Sequence, residues 1–304
     1  MAAPDSKEYR NQYESTLGEI RKNLRSKENL NSLLTFEALI ENDYINNRYK
    51  YAEVDNDNRF LNRYDKLHAL KVTSYSLKLF DALKHEDELI HKARISKLQF
   101  TTMALYELPQ DYSCMTVVTA AYTRNICEYM LHHNLAAALM ISREFENLRF
   151  LDSPERSRVN RILPIIEQCI LLQEGGGVKA QNVEQAIVML ADSTDNDKDR
   201  NRGTFGEAEV VRNDRNPIEY LACRDVESVK IGPSEHGKLV EATFELTGEA
   251  GWYQVHNFYR ALENSGLANL IALCAHKVRI DRATGEKVEL ENIQVWPPEN
   301  NHEV

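Results

Sequence analysis

Residues 238–296 constrain the fold of this 304-residue chain more than any other stretch. In KLVEATFEL, Val240, Ala242, Phe244 and Leu246 alternate with Glu241, Thr243 and Glu245. Such period-two alternation puts the apolar set on one face of a strand and the polar set on the other. WYQVHNFYRALENSG then carries Val255, Phe258, Tyr259 and Leu262 at helical spacing, with Ser265-Gly266 as a C-terminal stop. Residues 270–280 and 288–296, joined by DRATGEK, form a hairpin. A short helix from Pro217 and the strand VESVKIG precede this unit. The order is therefore helix, strand, strand, helix, strand, strand. Two αββ units side by side predict a four-stranded antiparallel sheet with both helices on one face.

Upstream the apolar period changes to that of helices. Tyr9, Tyr13, Leu17, Ile20 and Leu24 make a narrow stripe on an otherwise polar first helix. Further helices are predicted over 28–51, 58–83, 85–109, 112–132, 134–150, from Ser153-Pro154 onwards, and 182–190. Pro164 should kink or split the helix that Ser153 opens. Helices recur without a fixed repeat signature, so an irregular bundle is expected rather than a solenoid. ADSTDNDKDRNRG at 191–203 has no apolar residue after Ala191, and reads as a polar linker or a disordered loop. The resulting fold class is α+β: a helical bundle domain over 1–191, the linker at 192–204, and a ferredoxin-like domain in permuted order over 205–304.

The run LTGEAGWYQVHNFYRAL, the Ser-Gly break, NLIALCAHKVRI and a last strand ending in QVW resemble the periplasmic ferredoxin-like domain of the PilO and GspM type. The likeness covers about 80 residues and rests on the spacing of Gly251, Tyr253, Phe258 and Leu262. It implies a non-enzymatic domain of pilus and secretion assembly that dimerises or pairs with relatives. That family carries an N-terminal membrane helix, which this sequence lacks, so the fold and the assembly role carry over and the location does not.

Composition narrows the setting. Net charge is −10, with 37 basic against 47 acidic residues. That balance argues against nucleic-acid binding, which needs concentrated Lys and Arg. No run approaches the ~20 apolar residues of a membrane span, and MAAPDSKEYRNQYES lacks the apolar core of a secretory signal. The five cysteines (114, 127, 169, 223 and 274) are scattered and never form a C-x-x-C pair, which predicts a reducing, cytoplasmic compartment.

Catalytic motifs are weak throughout. Glu88-x-x-His91 has the carboxylate–histidine spacing of a di-iron bundle, with Asp65-x-x-His68 one helix earlier, but no later helix repeats the Glu-x-x-His motif. His132-His133 marks a helix end. Asp195-x-Asp197-x-Asp199 imitates the start of a calcium loop, yet Arg200 and Gly206 stand where that loop needs glycine and glutamate. Gly175–Gly177 lacks the Lys-Ser/Thr of a phosphate loop. Cys274 and His276 share a strand face, as a buried thiol beside a rim histidine. No catalytic residue, metal ligand or cofactor is therefore expected. The expected function is a non-enzymatic scaffold or assembly subunit with a protein partner or a second copy of itself. A structural protein of a virus or phage and a metal-dependent bundle enzyme using Glu88 and His91 are the alternatives. Candidate interaction residues are Tyr9, Tyr13 and Leu17 on the first helix, and Trp252, Tyr253 and Tyr259 on the last, because Trp and Tyr dominate interface hot spots.

Overall fold

Helix α1 (Lys7–Arg25) buries Tyr9, Leu17, Ile20 and Leu24, the stripe expected from spacing. The computed structural model describes residues 7–25, 29–57, 65–84, 98–127, 133–146, 153–171, 178–201, 210, 217–281, 284 and 286–296. The helix expected over 28–51 is two, α2 (Leu30–Glu41) and α3 (Asp43–Asp57). Asn42 separates them: its backbone is extended, and its Oδ1 accepts from the Ile45 N–H at 3.0 Å. An Asn at that junction satisfies a donor that the second helix would otherwise leave open.

Helix α4 (Lys66–Leu83) begins at Asp65, whose carboxylate accepts from the His68 N–H. A short α5 (Thr101–Ala104), α6 (Gln110–Thr123), α7 (His133–Glu146) and α8 (Ser153–Leu171) follow. Helix α8 runs through Pro164 rather than splitting there. Buried Ile162, Ile165, Ile166 and Ile170 anchor the turns on both sides of the proline, so packing outweighs the lost backbone hydrogen bond. Helix α9 (Val183–Thr194) opens on Asn182, which accepts from the Gln185 N–H at 2.7 Å.

Two remote carboxylates cap helices across the bundle. Asp111 accepts from the Asn31 and Ser32 N–H groups at the start of α2, and Glu184 from the Thr101 and Thr102 N–H groups at the start of α5. Both satisfy helix N-termini from a distance in sequence, a role that local reading cannot assign.

After α10 (Pro217–Arg224), strands β1 (Val226–Pro233), β2 (Val240–Leu246), β3 (Ile271–Ile280) and β4 (Lys287–Trp296) form one sheet in sequential order. Helix α11 (Trp252–Ser265) connects β2 to β3 and ends at Gly266, φ 70°. The α+β class is observed, and the antiparallel expectation is corrected. β1–β2 and β3–β4 are antiparallel, but the central pair β2–β3 is parallel. The long helical crossover returns the chain to the same end of the sheet, next to the strand it left. No strand lies between β2 and β3, as an alternating antiparallel sheet would require.

The stretch expected to be a linker is corrected over the part the structure describes. Asp192–Thr194 finish α9, and Lys198–Arg200 form a 3-10 turn in which Arg200 is buried. Helix α9 packs against α4, α6, α8 and α11. One apolar core runs from Leu17 in α1 to Ala275 in β3.

Candidate functional site: a buried charge network

Helix α4 presents His68, Lys71 and Tyr75 three to four residues apart, hence on one face. Opposite them the chain leaves α9 with Asp192 and Asp195, then turns with Asp197, Asp199 and Arg200. Acidic groups at a helix C-terminus lie against the negative end of its dipole, so they need cations. His68 Nδ1 lies 2.5 Å from Asp195 Oδ2, and His68 Nε2 3.6 Å from Asp192 Oδ1. Arg124, which ends α6, pairs closely with Asp192. The Lys71 ammonium stands 3.5, 3.3 and 3.7 Å from carboxylate oxygens of Asp195, Asp197 and Asp199. Arg200 donates to the Asp195 carbonyl at 3.3 Å and to the Asn196 side chain, and lies 3.7 Å from Glu219.

Burial and pairing compete at each group. Burial alone would raise the Asp192 and Asp195 carboxyls. The Arg124 guanidinium beside Asp192 and the Lys71 ammonium beside Asp195, each joined by His68, hold them below the ordinary range. His68 is driven down by burial and by Arg200, but hydrogen bonds to Asp192 and Asp195 raise it overall. Asp197 moves the other way. Burial and the neighbouring Asp195 and Asp199 push it up to about 6, against the pull of Lys71. With Asp197 and His68 both protonated, four carboxylates (Asp192, Asp195, Asp199, Glu219) face four cations (His68, Lys71, Arg124, Arg200). Tyr75 donates to the Val229 carbonyl at 3.1 Å, and burial raises its phenol.

The cavity lined by Leu67, His68, Lys71, Asp195, Asp199 and Arg200 measures about 10 Å³. That is room for about one water molecule, not a substrate. The arrangement can join α4, α6, α9 and the 3-10 turn, and it can titrate. Among the described residues it presents no reacting centre open to a ligand.

The calcium-like acidic run does converge on a cation, but that cation is the ammonium of Lys71. Asp65 and His68 are a helix cap and a network member rather than a metal pair. Glu88, His91, His132 and Gly175–Gly177 lie outside the described residues, while His133 begins α7. Burial raises the thiols of Cys127, to about 11, and of Cys169 and Cys223, which removes the thiolate that nucleophilic chemistry needs. Cys274 is fully buried and His276 half-buried on β3. Within reach of Cys274, the described groups with metal-ligand spacing are His236 and Glu241, not His276.

Of the proposed contact residues, Tyr9 and Leu17 face the core and Tyr13 is half-buried. Tyr9 and Tyr13 stack at 6.5 Å between ring centres, and α1 lies on α4 and α2. This corrects the reading of that stripe as free for a partner: its apolar face is spent inside the bundle. Trp252 and Tyr259 are half-buried, Tyr259 lying 5.7 Å from Trp296 between ring centres. Tyr253 is the exposed member of the set. Sequence spacing singles out His68 only as a partner of Asp65 and gives no sign of Lys71 or Arg124, because no local spacing links α4 and α6 to the end of α9. No family model, curated protein or solved structure significantly matches this chain. None of its described helices is long and apolar enough to cross a membrane.

Proposed function

We propose that this protein is an assembly subunit that acts through protein–protein contacts, with a second copy of itself as the first partner. One observation carries the reading: the outer face of α7. Asn134, Ala137, Ala138, Ile141 and Phe145 of that helix turn inward. Leu135 and Leu139, one turn apart, point outward and are 51% and 64% exposed. Single exposed leucines are ordinary, but a paired ridge on a helix covered on one side only matches the ridges that fit a neighbouring helix's grooves. Leu30 and Leu34 repeat the spacing on α2 at 62% and 42% exposure. The buried network supports the same reading, since its ion pairs join α4, α6 and the end of α9 and its cavity leaves no room for substrate. A cytoplasmic setting is supported by five buried cysteines, none of them in a disulfide.

Light scattering after size exclusion tests the proposal on wild type and on a Leu135→Glu/Leu139→Glu double variant. Wild type should elute as a dimer or larger, and the double variant as a folded monomer with unchanged circular dichroism. A wild-type chain that stays monomeric at high concentration overturns the self-association reading.

A further inference from the structure

The β1–β2 turn brings three chemically different ligands together on the polar face of the sheet. His236 sits in the turn, where its N–H donates to Ser234 Oγ at 3.0 Å and Gly237 follows with φ 68°. Both features bend the chain back over β2. Glu241 is the second residue of β2. Its Oε1 accepts from Thr243 Oγ1 at 2.9 Å, which fixes the carboxylate plane. Its Oε2 is buried without a hydrogen-bond partner and lies 3.5 Å from His236 Nε2. Cys274 on β3 pairs in register with Thr243, so it shares the face of Glu241. One atom each from His236, Glu241 and Cys274 lie within 4.8 Å of one another.

We propose that His236, Glu241 and Cys274 bind a divalent transition metal, zinc by preference. A thiolate, an imidazole and a carboxylate suit a borderline-soft ion and not calcium or magnesium, which take oxygen ligands. Three protein ligands leave the fourth tetrahedral position open, the ligand count of catalytic rather than structural zinc sites. Metal–ligand bonds of ~2.0–2.3 Å bring tetrahedral ligand atoms to about 3.3–3.8 Å apart. The half-exposed His236 turn is the element able to close that last ångström. Binding replaces the Cys274 thiol proton, which leaves to solvent, and it gives Glu241 Oε2 a directly bonded partner. Thr243 then holds the carboxylate from outside the ligand shell, as ligating carboxylates usually are held. Glu241 and Thr243 also line a groove of about 380 Å³ with Tyr75, Lys78 and β1, so the site borders an open surface.

Titration of the full chain with cobalt(II), a spectroscopic substitute for zinc, tests the site. Wild type should bind one ion per chain, with thiolate-to-cobalt charge-transfer absorption that one equivalent of zinc abolishes. Cys274→Ser should lose that absorption, and His236→Ala, in the half-exposed turn, should weaken binding more than about tenfold. Glu241→Gln provides a third variant should Cys274→Ser not fold. Absence of the band in wild type, or affinity unchanged in both His236→Ala and Glu241→Gln, overturns the proposal.

Discussion

Two clusters of charge in this molecule have similar chemistry and different surroundings. Around Lys71, the ammonium side chain is 14% exposed and Asp195 1% exposed. On the polar face of the sheet, Glu245, its side chain 8% exposed, accepts from Lys230 at 2.7 Å and Lys287 at 2.5 Å, and those lysines reach into solvent at 64% and 38% exposure. A lysine in water has an alternative partner, so a pair whose cation is solvated contributes about 0–1 kcal/mol. A buried charge has none, and removing one partner strands the other at a cost of about 3–5 kcal/mol. The comparison teaches that ion-pair distance does not rank these clusters, because the loosely spaced contacts of Lys71 matter more than the short ones of Glu245.

The largest test of that contrast is Lys71→Met, which keeps the stem and removes the charge among Asp195, Asp197 and Asp199. It should lower stability by about 3–5 kcal/mol in urea denaturation. A loss below about 1 kcal/mol would mean that water reaches the network and that the two regions behave alike.

The next test uses pH. His68 is raised above its ordinary 6.5, so its contribution is complete below that value and fades as pH climbs through the folded value. Asp197 binds its proton more tightly folded than unfolded, so stability also declines between 3.8 and about 6. Asp192 and Asp195 act in the opposite sense. Their contribution is present above the ordinary 3.8 and is lost as pH falls below it. Urea midpoints of wild type should therefore fall as pH rises above 6.5, and His68→Gln should flatten that limb while lowering stability throughout.

The smallest effect belongs to Glu245→Gln. Burial would raise this carboxyl, but Lys230, Lys287 and Ser228 hold it down to about 2. Its contribution is thus present above the ordinary 4.5 and disappears as pH falls towards about 2. Its partners are wet, so the variant should cost about 1 kcal/mol or less near pH 7. A cost equal to that of Lys71→Met would erase the distinction between the clusters.

The elements that local spacing alone specifies were legible: the α1 stripe, the β2 alternation, the α11 face and its glycine stop. Apolar spacing runs through 28–51 as one helix because Asn42 acts through its side-chain cap, which spacing does not record. The polar run after Ala191 has the composition of a linker because composition registers charges and not their partners. Those partners, His68, Lys71 and Arg124, come from helices more than 60 residues away in the chain.

Sequence by itself determined the α+β class, the placement of the sheet at the C-terminal end and the faces of its strands, since side-chain period is a local property of backbone geometry. Tertiary structure alone decided that the β2–β3 pair is parallel, that the acidic groups following α9 meet His68, Lys71, Arg124 and Arg200, and that His236 and Glu241 stand beside Cys274. The reason is physical. Strand direction, burial of charge and ligand convergence depend on which segments meet, and packing of the whole core sets that.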